Sequence, residues 1–132
     1  MRRRWLLVLA AGMLVGADVM SAHHSMTAQY DGSKEVTIEG TLVQFQFRNP
    51  HSFVHVEAPD EKGQVQRWSI EWAGSAALTG QGVTRTTLKV GDVVVITGSP
   101  SRTPNDHRLK MNTLTRTSDG FGWGKRPGEV VD

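Results

Sequence analysis

Five histidines, His23, His24, His51, His55 and His107, are the residues of this chain best suited to chemistry, because it contains no cysteine. Without a thiol there is no disulfide, no thiolate metal site and no cysteine nucleophile. Imidazole is a common nitrogen ligand for copper, zinc and nickel, and its neutral form dominates near pH 7. His23 and His24 are adjacent, His51 follows Asn49-Pro50, and His107 follows Asp106. His51 and His55 would stand ~13 Å apart on one face of a strand, too far for one ion held ~2 Å from each nitrogen. The candidate metal set is therefore His23 and/or His24 with His51 and His107, and copper is the leading cofactor. Each of these has a plainer reading. His23-His24 reads equally as an unliganded terminus, His51 as a turn residue bonded to a backbone carbonyl, and His107 as a solvated loop residue. His55 reads as a surface ring packed beside Phe53.

Other chemistries find no support. Ser25 beside His24 is not a triad, since adjacency in sequence supplies neither the geometry nor an orienting acid. No phosphate-loop spacing exists among the glycines, and the acids scatter over separate segments, so no glycosidase carboxylate pair can be assigned. Glu71 lies between Ile70 and Trp72, where it would orient a histidine or pair with Arg67 or Arg48; the ion pair is the expectation. No catalytic residues are assigned, and an enzyme is not expected.

The elements that must position these residues follow from periodicity. Lys34 to Phe47 reads as a long strand: Val36, Ile38, Gly40 and Leu42 share one face, while Val43, Phe45 and Phe47 take the other parity. A phase switch beside a glycine is how a strand coils or bulges to serve both halves of a barrel. Arg48-Asn49-Pro50-His51 ends the run. Ser52 to Ala58 alternates again, Pro59 to Gly63 is a hairpin loop, and Gln64 to Trp72 places Trp68, Ile70 and Trp72 inward. Gly74 to Leu78 suits a short helix with Ser75 as its N-cap. Val93 to Thr97 and Arg108 to Arg116 are the fourth and fifth strands, joined by a polar loop. Three strands, one short helix and two more strands give an all-β, OB-fold-like five-stranded barrel with the helix between strands 3 and 4. Its core should gather Ile38, Val54, Val56, Trp68, Ile70 and Val95. In that barrel the loops after strands 1 and 4 flank one face, so His51 and His107 would meet at one rim, with residues 23–33 a flexible segment long enough to reach it.

The flanks read differently. Arg2, Arg3 and Arg4 precede Trp5 to Ala17, a run without charge. At 13 residues it is short of the ~20 needed to span a bilayer and fits the apolar region of a signal peptide. Residues 1–22 are therefore expected to be a signal-peptide helix removed on export to the periplasm, with no stable membrane span afterwards. Cleavage after Ala17, Ser21 or Ala22 fits about equally well. Residues 34–117 would form the barrel domain and 118–132 a Gly-rich, frayed tail. The whole chain carries a formal charge of +2, but from His23 onward basic and acidic residues balance. A neutral remainder argues against nucleic acid as a partner.

Several motifs recur in a familiar order: His23-His24-Ser25, Tyr30-Asp31, Gly40, Asn49-Pro50-His51, Trp68 with Glu71, Leu78 with Gly82, and Leu88-Lys89-Val90-Gly91-Asp92. Together they resemble a family of short exported bacterial proteins defined by a domain of unknown function, over about His23 to Asp119. The loop from Ser99 to Asp106 and the tail Phe121-Gly122-Trp123-Gly124 depart from that pattern. The resemblance implies export and a small β-rich domain, with no assigned activity. Two functional expectations follow: a periplasmic protein binding copper, or another divalent metal, through histidines; or a non-catalytic OB-like module holding a peptide, a periplasmic protein partner or a small ligand.

Overall fold

A computed structural model describes residues 28–124. Its strands are β1 (Val36–Gln46), β2 (Phe53–Pro59), β3 (Val65–Glu71), β4 (Val93–Pro100), β5 (Arg108–Arg116) and β6 (Gly122–Gly124), with helix α1 (Ser75–Gly80) between β3 and β4. The sheet runs β3-β2-β1-β4-β5-β6, and a parallel pairing of β3 with β5 closes its first five strands into a barrel. This is the OB-like architecture expected from the sequence.

β1 serves both halves of the barrel. Val36 to Thr41 pair with β4, and Thr41 to Gln46 pair with β2. The register slips between Leu42 and Gln44, so Val43 is the extra residue of a bulge that lets the strand coil. Gly40 marks the closest crossing. A Cβ there would collide with the Glu57 carbonyl oxygen and come within 2.8 Å of the Val56 and Ala58 side chains.

Ile38, Leu42, Val54, Val56, Trp68, Ile70, Ile96, Leu109 and Leu114 form the centre of the core. Val95 is not among them. Ile96 pairs with Ile38 and Val94 with Gly40, which turns Val94 and Ile96 inward and leaves Val95 half-buried on the outer face. Leu78 of α1 is fully buried. Gly74, not Ser75, holds the N-cap, and its missing side chain is replaced from the β1–β2 loop. The Asn49 Oδ1 accepts the Ala76 N–H at 3.2 Å, and the Arg48 carbonyl accepts the Ser75 N–H at 2.9 Å. That loop, whose Asn49–Pro50 bond is cis, is thus fastened to the helix, and His51 with it.

Both ends of the described chain are more structured than periodicity suggests. Tyr30 is 2% exposed and bridges to Ser101, the Asp31 N–H donates to the Pro100 carbonyl, and the Arg102 N–H donates to the Gln29 carbonyl. Residues 29–31 therefore lie along the β4–β5 loop. At the other end, β6 adds to β5, Trp123 meets Trp72 edge-on at 5.1 Å, and its Nε1 donates to Gln81 Oε1 at 2.7 Å. One large aromatic at 123 is enough to pin a segment otherwise poor in apolar residues. No helix among the described residues is long and apolar enough to cross a membrane.

Candidate functional site

Glu71 ends β3 opposite Phe53 of β2 and Lys110 of β5. By strand parity it points with Arg67 and Ser69 to the outside of the barrel, yet it is only 7% exposed. The cover is Tyr30, carried across from the β4–β5 loop by the backbone bonds of Gln29 and Asp31. A carboxylate taken out of water requires partners, and Glu71 has two. The Tyr30 hydroxyl donates to its Oε2 at 2.6 Å, and His51 Nδ1 lies 3.3 Å from its Oε1.

The expected ion pair of Glu71 with Arg67 or Arg48 does not form. The Arg67 guanidinium reaches across β2 to Gln44 Oε1 at 3.0 Å, and Arg48 lies over the Phe53 ring at 5.1 Å. Glu71 instead lies beside a histidine, His51. The short Tyr30 bond is charge-assisted, the strong kind. Burial, followed by the hydrogen bond to Glu71 and that carboxylate's charge, pushes the Tyr30 phenol far above its ordinary range, with Arg108 opposing.

Of the four candidate ligands, His23 and His24 lie outside the described residues. His51, with a side chain 41% exposed, sits beside Glu71 at the mouth of the β1–β2 loop. His107 is packed edge-on against Trp68 at 5.0 Å and bears electrostatically on Asp60 of the β2–β3 hairpin. Ser69 pairs with Arg108, so His107 is level with Trp68, three residues down β3 from Glu71. Three rungs amount to ~10 Å of backbone along β3 between the levels at which Glu71 and His107 stand. Among the described residues no three His, Asp or Glu side chains form a metal-ligating group.

His55 stands on the outer face of β2, stacked beside Phe53 with centroids 6.4 Å apart and planes at 17°. Its Nε2 is buried and has no hydrogen-bond partner among the described residues. Burial pulls its pKa below the ordinary histidine range, and the nearby Arg67 and Arg48 charges push the same way.

Tyr30 is the residue of this site that spacing and residue type missed. The available signal was Glu71 itself, an acid held between Ile70 and Trp72 at the end of a strand, which needs a cover if it is to be buried. No curated protein matches the chain. Residues 11–110 match a family model and include all five histidines together with Tyr30 and Glu71. The chain belongs to that family, DUF6152, a family of unknown function.

Proposed function

We propose that this is an exported protein that binds a divalent metal ion, copper above all, through His51 together with His23 and/or His24. The observation that carries this reading is the Glu71 carboxylate set between the Tyr30 hydroxyl and His51 Nδ1. Histidines that ligate metals usually engage a carboxylate through their other ring nitrogen, which orients the ring and raises its basicity. Tyr30 adds a second support. It anchors the chain at the same carboxylate, and His24 and His23 lie only six and seven residues upstream. An extended segment of that length spans ~20–25 Å, ample to return to His51. A set of nitrogen ligands suits Cu(II). Export rests on the Arg2–Arg4 cluster ahead of the uncharged run to Ala17, and it places the protein in the periplasm.

The test is metal content and Cu(II) titration of the exported, untagged protein. Copper should be retained on purification, and His51→Ala should weaken Cu(II) binding at least tenfold, ~1.4 kcal/mol. Equal affinity in that variant rules His51 out as a ligand.

A second reading rests on the outer face of β2, where Phe53 and His55 stack and Arg48 covers Phe53. The β2–β3 face is where OB-like barrels hold their ligands, so a peptide, partner protein or small ligand could bind there without metal. Metal-free protein that co-purifies with a partner, and loses it on Phe53→Ala, would favour this reading.

A further inference from the structure

The Glu71 carboxylate has two oxygens and two neighbours, and its geometry assigns each oxygen to one of them. Oε2 takes the Tyr30 hydroxyl at 2.6 Å, and Oε1 faces His51 Nδ1 at 3.3 Å. The rest of the surroundings holds this arrangement in place. Tyr30 is 2% exposed and Glu71 7%, while the Tyr30 backbone is tied down by its bridge to Ser101 and the bond from Asp31 N to the Pro100 carbonyl. On the other side, Ser52 next to His51 is wholly buried, with its N–H on the Ala73 carbonyl and its carbonyl on the Trp72 N–H.

A neutral imidazole carries one proton on one of its two nitrogens, and the partner of one nitrogen decides which. A bare Nδ1 lone pair facing a carboxylate oxygen at 3.3 Å would be repelled, whereas an Nδ1–H there is attracted. We infer that Tyr30, by holding Glu71 in this orientation, is a positioning residue that fixes His51 in its Nδ1–H form and presents Nε2 as the single nitrogen open to a ligand. The ligand class is a cation that takes imidazole nitrogen, so this inference rests on the metal reading for its purpose. Its central claim concerns the metal-free protein alone. Tyr30 touches no ligand in this scheme. It acts through Glu71, and the proton on Nδ1 stays with the imidazole throughout.

Long-range proton–nitrogen NMR of the metal-free, 15N-labelled protein reads the tautomer directly, at a pH where the imidazole is neutral. The wild type should show His51 protonated on Nδ1, against the Nε2–H form that free imidazole side chains prefer. Tyr30→Phe keeps the packed ring but releases Oε2, and should move a measurable fraction of His51 to Nε2–H. Glu71→Gln replaces the facing oxygen with an amide able to donate, and should move it further. Cu(II) affinity should fall in the same order, about tenfold for Tyr30→Phe. Wild-type His51 protonated on Nε2 would overturn the inference, as would tautomer populations identical in all three proteins. An Nδ1–H wild type that binds no copper would remove the metal reading and leave the role of Tyr30 standing.

Discussion

A histidine with a buried, unpartnered nitrogen gives this protein an acid limit. His55 Nε2 has no partner among the described residues, and burial, then Arg67 and Arg48, hold its folded-state pKa below that of the unfolded chain. A depressed pKa means the folded protein binds that proton less readily. The stabilisation is therefore intact above the unfolded value of ~6.5 and is lost as pH falls below it. Urea melts should show His55→Phe less sensitive than wild type to a change from pH 7.5 to pH 5; parallel losses in both proteins would contradict this. Glu71 shows where the sequence could be read and where it could not. Its place at the end of a strand, and its option of orienting a histidine, were legible from the neighbouring residues. Its burial was not, because the covering group, Tyr30, lies 41 positions away in a segment whose polar composition gives no sign of docking. No local pattern encodes a contact made by one aromatic ring across the barrel wall.

Strand periodicity carried most of the fold because each barrel strand has one face in the core, and alternation reports that face directly. It failed at Val95. Val93 to Ile96 is a continuous apolar run with no alternation to read, so only the pairing with β1 decides which residues point inward. The motif Leu88-Lys89-Val90-Gly91-Asp92, part of the family resemblance, proves to be a structural clasp. The Leu42 N–H donates to the Asp92 carbonyl, the Gly91 N–H donates to the Leu42 carbonyl, and the Asp92 carboxylate accepts from Lys89 N–H and Arg116. Arg116 also holds the Asp119 carboxyl well down, to about 2, through a hydrogen bond. Two substitutions test the barrel. Gly40→Ala puts a methyl into the Glu57 carbonyl, so β1 and β2 must part, and overpacking of this kind costs ~1–3 kcal/mol. Trp68→Ala removes a buried ring whose Nε1 donates to the Ala58 carbonyl at 3.1 Å, and should cost ~3–5 kcal/mol. Denaturant melts decide both. A loss under ~1 kcal/mol for Trp68→Ala would mean the ring is not packed in the core.

At the scale of the whole molecule, the barrel acts as a frame that fastens two separate points of the chain, the loop that bears His51 and the segment around Tyr30. The Asn49 and Arg48 bonds to α1 fasten the loop that bears His51, and the Tyr30 and Asp31 contacts fasten the chain a few residues after His23-His24. If export ends with cleavage after Ala22, His23 gains a free α-amino group with a pKa of ~8. That amine and the His23 imidazole can chelate one ion together, with His51 Nε2 as the third nitrogen, an arrangement that favours Cu(II). The amine takes part only when His23 is the first residue. Cleavage after Ala17 or Ser21 displaces it, and mass spectrometry of the exported protein shows which site is used. One extra alanine ahead of His23 makes the same displacement by design, without touching the barrel or the Tyr30 anchor. Cu(II) affinity should then fall at least tenfold, ~1.4 kcal/mol, with the melting temperature of the metal-free protein unchanged. If copper binds equally tightly with and without the added alanine, the terminal amine is not a ligand, and the imidazoles of His23, His24 and His51 must account for any binding that remains.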